Sequence, residues 1–76
     1  MPSLGPIHWK KFDQFLTYVG CTFVRQKGDH RVYWRDGLLR PIILRTKKDV
    51  PIFEIKSNLR TLSISTEEYL SILERL

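Results

Sequence analysis

A chain of 76 residues has room for one small core and not for two, so residues 1–76 are expected to form a single domain whose helices and sheet share one apolar layer. The apolar fraction of 42% with 12% aromatic residues excludes a disordered tail. The net charge of +5 is concentrated: residues 25–48 hold eight basic and two acidic side chains, the rest five basic and six acidic, which points to a polyanionic partner such as nucleic acid.

Other classes are disfavoured on simple grounds. Cys21 is alone, so no disulfide forms within the chain and a reducing compartment, the cytoplasm, is expected. His8, Cys21 and His30 lack metal-ligand spacing, and neither a metal nor another cofactor is expected. Met1 to Ile7 has no basic stretch leading into an apolar one, no apolar run reaches membrane-spanning length, and no amphipathic helix carries a strongly basic polar face. No membrane association is expected.

In chain order, Pro2, Gly5 and Pro6 mark residues 1–6 as an irregular lead-in. From about His8, apolar residues at Trp9, Phe12, Phe15, Leu16 and Val19 form one helical stripe, and Gly20 stands where a left-handed C-terminal cap belongs. Cys21 to Lys27 reads as a short strand ended by Gly28. His30 to Arg35 alternates, and Val32 and Trp34 are expected in the core, with Arg31, Tyr33 and Arg35 facing water. Asp36-Gly37 signals a two-residue type I′ hairpin into a strand from Leu38 to Arg45, where Pro41 requires an edge or a bulge. A basic loop then leads to a second helix, with Asp49 as its cap, Pro51 in its first turn, a buried stripe of Ile52, Ile55, Leu59 and Leu62, and Lys56 and Arg60 exposed. Ser65 and Glu68 form a capping box before a last helix with Tyr69, Leu70, Ile72 and Leu73 as its apolar residues.

The stretch that organises the chain is Gly28-Asp29-His30-Arg31-Val32-Tyr33-Trp34-Arg35, a glycine turn with one imidazole at the start of a basic strand. Histidine has an unperturbed pKa of about 6.5 and can both take and give a proton near neutral pH, so His30 is a candidate proton shuttle for phosphate chemistry.

Helix, three-stranded meander, helix is the core order of the double-stranded-RNA-binding-domain fold, here α+β in class, α-β-β-β-α with an additional short C-terminal helix. In detail the chain resembles the HicA-type toxins, small ribonucleases of bacterial toxin-antitoxin pairs. Val19-Gly20, Lys27-Gly28-Asp29-His30-Arg31-Val32-Tyr33, Asp36-Gly37, Asp49-Val50-Pro51, Ile55-Lys56-Ser57-Asn58-Leu59 and Ile64-Ser65 match that family's pattern in order and spacing, from about Trp9 to Leu73. The resemblance implies an mRNA endonuclease that works without metal, with His30 as the catalytic residue and a HicB-like antitoxin as partner. Lys27, Gly28, Arg31, Arg45, Lys47, Lys48 and Lys56 would contact the RNA. Two positions depart from the pattern. Asp29 replaces a small hydroxyl residue, and a carboxylate there favours a cationic neighbour while repelling phosphate; Arg45 replaces a second histidine. These departures leave two alternatives open, a non-catalytic RNA-binding module on the same fold and a domain that only binds an acidic antitoxin.

Overall fold

The computed structural model describes residues 3–76, so Met1 and Pro2 of the expected lead-in lie outside the described residues. The elements are β1 (Ile7–His8), α1 (Trp9–Tyr18), β2 (Thr22–Lys27), β3 (His30–Trp34), β4 (Ile42–Arg45), β5 (Asp49–Val50), α2 (Ile52–Leu62) and α3 (Thr66–Arg75). The class is α+β, with an antiparallel sheet in the order β2-β3-β4 and a small second sheet pairing β1 with β5. Phe12, Phe15 and Leu16 of α1, Tyr33, Ile42 and Leu44 of the sheet, Ile55, Leu59 and Leu62 of α2, and Tyr69 and Ile72 of α3 meet in one core.

The helices form where the apolar stripes place them, and their ends carry their own signals. The His8 imidazole accepts the Lys10 N–H at 3.2 Å to start α1, and Gly20, at φ +91°, follows its last turn. Ser65 Oγ accepts the Glu68 N–H at 3.0 Å to cap α3. Arg35 joins two helix ends that lie far apart in sequence: its guanidinium donates to the carbonyls of Val19 at 3.0 Å and Leu62 at 3.1 Å. Those carbonyls have no partner inside a helix, so the contact satisfies orphaned acceptors and ties α1 to α2.

The sheet corrects the expected face of β3. Tyr33 is 1% exposed and Trp34 is 39% exposed, so Tyr33 faces the helices while His30, Val32 and Trp34 face outward. The reason lies in the partner strand. Tyr33 stands opposite Ile42 and Arg31 opposite Leu44, and cross-strand partners share a face, so the buried Ile42 and Leu44 carry Arg31 and Tyr33 inward with them. The inward arginine is accommodated by polar partners: Arg31 Nε donates to Tyr33 Oη at 2.8 Å, and Tyr33 Oη donates to the Asp13 carboxylate of α1.

Four further expectations are revised. The Leu38 N–H does reach the Arg35 carbonyl at 3.2 Å, but only Gly37 has positive φ (+92°), which excludes type I′; ladder pairing resumes at Tyr33 and Ile42, so the connection is a longer loop that buries Leu38. Asp49 does not cap α2, because it pairs with His8 in the small sheet; Pro51 takes the cap position instead. Ile52 lies outside the buried stripe and is exposed, while Cys21, buried, precedes β2 rather than opening it. The two-residue hairpin is Gly28-Asp29, with Lys27 and His30 paired across it and positive φ (+60°) only at Gly28, as in type II′ turns.

Candidate functional site

The Gly28-Asp29 turn sets His30 at the rim of the outward sheet face, its side chain 48% exposed. The Thr46 N–H donates to the Asp29 carbonyl at 2.8 Å, which makes residues 29 and 46 a hydrogen-bonded pair. His30 and Arg45, one position further in, therefore face each other as a non-hydrogen-bonded pair, the closer of the two antiparallel arrangements. Asp29 Oδ1 lies 3.0 Å from His30 Nδ1 and its Oδ2 lies 3.6 Å from Lys47 Nζ. The carboxylate is thus shared between an imidazole and an ammonium. The carboxylate lies on the Nδ1 side of the ring, which leaves Nε2 as the nitrogen for a substrate.

Beside His30 is a cleft of about 190 Å³, bounded by Ile43 and Arg45 of β4 and by Glu54, Ser57 and Asn58 of α2. Helix α2 runs along the free edge of β4, where the Asn58 amide donates to the Ile43 carbonyl at 3.4 Å and Arg45 Nε lies 3.7 Å from Glu54 Oε1. The face continues past His30 to Arg25, Lys27 and Val32 on one side. Arg45 and Glu54 also border a neighbouring hollow lined by Lys47, Lys48 and Phe53.

Of the residues expected at the site, Lys27, Gly28, His30 and Arg45 meet on this face, and Lys47 and Lys48 flank it. Arg31 does not join them: it faces α1, with Asp13 Oδ1 at 3.7 Å, while Gln26 Oε1 of β2 accepts from it at 3.1 Å and the Phe23 ring lies 4.2 Å from its guanidinium carbon. Lys56 is exposed on α2 and borders none of these hollows. The basic segment therefore divides, with Arg31 and Arg35 bracing the fold and Arg40 lying in a separate hollow with Arg60 and Thr61. Arg25, Glu54, Ser57 and Asn58 went unnoticed as site residues in the sequence. Arg25 had a signal in the basic segment 25–48, and Ser57 and Asn58 had one in the stretch that matches the family pattern, whereas nothing marked Glu54.

Elsewhere the chemistry is quiet. Burial pushes the Cys21 thiol up from its ordinary range, partly offset by the nearby Arg35, which suits a small core residue rather than a nucleophile. Among the described residues no three His, Cys, Asp or Glu side chains are grouped to hold a metal ion, and no helix is long and apolar enough to cross a membrane.

The family model for the HicA toxin of bacterial toxin-antitoxin systems matches residues 9–64. The chain belongs to the HicA toxin family. The match runs from the start of α1 through the exit of α2, so His30 and every side chain around its cleft lie inside it, whereas α3 lies beyond. No curated protein and no solved structure matches the chain. As a HicA toxin it belongs with an antitoxin.

Proposed function

We propose that this HicA toxin is a cytoplasmic mRNA endonuclease, a single domain of the double-stranded-RNA-binding-domain type held in check by a HicB-like antitoxin, and that His30 is its catalytic residue. One observation carries the reading: His30 opens onto a cleft with the Asp29 carboxylate 3.0 Å from its Nδ1 and Arg45 opposite it in the sheet. RNA brings its own nucleophile. His30 Nε2 takes the proton of a ribose 2′-OH as O2′ attacks the adjacent phosphorus, and the P–O5′ bond breaks. The same imidazole returns the proton to the departing O5′, leaving a 2′,3′-cyclic phosphate and a free 5′-hydroxyl. In this scheme Arg45 meets the charge that grows on the phosphoryl oxygens, the role of fixed cations in such transition states. In this scheme no metal takes part.

Asp29 looked unfavourable beside a phosphate when the sequence was read alone. Its pairing with Lys47 and His30 supports a different part for it, fixing the ring while the lysine offsets its charge. Lys27, Lys47 and Lys48 hold the strand through its phosphates without reading bases.

The test is digestion of RNA by wild-type and His30→Ala toxin in excess EDTA, with end-group analysis of the fragments. The wild type should yield cyclic-phosphate ends, and the variant should lose at least about a hundredfold in rate while keeping its circular dichroism. Undiminished cutting by the variant removes His30 as catalyst. A wild type that binds RNA in a salt-sensitive way but leaves it intact supports the non-catalytic module instead.

A further inference from the structure

We propose that Phe53, with the cations beside it, forms a subsite that stacks a nucleobase of single-stranded RNA next to the nucleotide at His30; the inference rests on the ribonuclease reading above. Phe53 lies in the first turn of α2 and is 71% exposed. The other strongly exposed phenyl ring, Phe23, is already engaged, with the Arg31 guanidinium 4.2 Å from its centroid and Tyr33 edge-on at 5.9 Å. Among the described residues Phe53 has neither an aromatic partner nor a cation over its ring, so its largely exposed ring is available to a ligand.

The surroundings decide what kind of ligand. Phe53 borders a hollow of about 230 Å³ together with Arg45, Lys47 and Lys48, three cations against the carboxylates of Asp49 and Glu54, the second of which is paired with Arg45. A flat apolar ring within reach of several cations matches a nucleotide, which presents an aromatic face and an anionic backbone together. The hollow shares Arg45 and Glu54 with the cleft at His30, so a strand whose phosphate lies at Arg45 passes directly from one to the other. An acidic protein segment would satisfy the cations but would have no reason to track this continuity. Stacking on one ring is tolerant of base identity, so Phe53 contributes affinity and register more than strict sequence choice.

The experiment measures binding of short fluorescent oligouridines to His30→Ala toxin, which blocks turnover, with a single abasic site moved along the oligonucleotide. Phe53→Ala in that background should weaken binding about tenfold, and Phe53→Trp should restore it. One abasic position should weaken binding to the His30→Ala protein by a similar factor yet cost the double variant nothing further. Abasic penalties that are equal in both proteins overturn the proposal. So does a Phe53→Ala protein that loses affinity only for the purified cognate antitoxin. If the wild type fails to cut RNA while this coupling persists, the nuclease reading falls and the stacking subsite stands.

Discussion

Arg31 separates two uses of a cation that look alike in the sequence, and its replacement by alanine gives the sharpest test of the fold. Its guanidinium donates to Tyr33 Oη at 2.8 Å and to Gln26 Oε1 at 3.1 Å, and lies 3.7 Å from Asp13 Oδ1. Arg31→Ala therefore removes charge-assisted hydrogen bonds, leaves the carboxylate of Asp13 without its nearby cation, and strips the guanidinium plane from the Phe23 ring. Allowing for the partial exposure of the ion pair, the loss comes to about 2–3 kcal/mol. A domain of this length has a total stability of roughly 4–11 kcal/mol, so the midpoint temperature should fall by on the order of 10–20 °C. Urea unfolding followed by circular dichroism reads the stability. Oligonucleotide binding across a salt series, in the His30→Ala background and well below the variant's midpoint, reads the phosphate contacts. Arg31→Ala should lower the urea midpoint and leave the salt slope unchanged. Lys48→Ala should keep stability within about 0.5 kcal/mol and reduce the slope by about 0.7, as expected for one lost single-strand phosphate contact. An Arg31→Ala protein as stable as the wild type, with a shallower salt slope, would refute the placement of Arg31 in the core network.

Two more outcomes concern the core and the hairpin. Burial raises the Tyr33 hydroxyl, with the Asp13 carboxylate adding to it, and burial alone raises that of Tyr69, each to about 12 from an ordinary 10. A raised folded value means that the stability tied to these protons is complete below pH 10 and drains away as pH climbs toward 12, which urea midpoints between pH 8 and 11.5 would show. Tyr69 Oη has no hydrogen-bond partner among the described residues, so Tyr69→Phe should cost no more than about 0.5 kcal/mol at neutral pH and should hold its stability further into the alkaline range; an unchanged alkaline loss would contradict this. At Gly28 a Cβ would meet nothing within 4 Å, so Gly28→Ala should cost only the strain of φ +60°, about 1–2 kcal/mol in the same assay, and Gly28→Asn less. Equal stability of the alanine and glycine proteins would show that the turn relaxes to another type.

Much of this architecture was legible because it depends on near neighbours. The stripe of Phe12, Phe15 and Leu16, the Ser65 cap, the stop at Gly20 and the breaker at Gly28 are properties of a few adjacent residues, and local backbone physics acts on them directly. The clustering of Lys27, Arg45, Lys47 and Lys48 around His30 followed from a meander, which brings successive strands together. Strand β3 was different, because both of its faces carry large side chains and its alternation alone favours neither. Ile42 and Leu44 chose the face by pairing with it, and the Tyr33 hydroxyl, the Gln26 amide oxygen and the open helix ends supplied the acceptors that let two arginines turn inward. The cleft, too, exists only because α2 lies along the edge of β4 and brings Glu54 and Asn58 of the next helix up against Arg45 and Ile43. No local preference encodes that contact, since it forms only when the apolar side of α2 is buried against the sheet and its polar side is left at the rim.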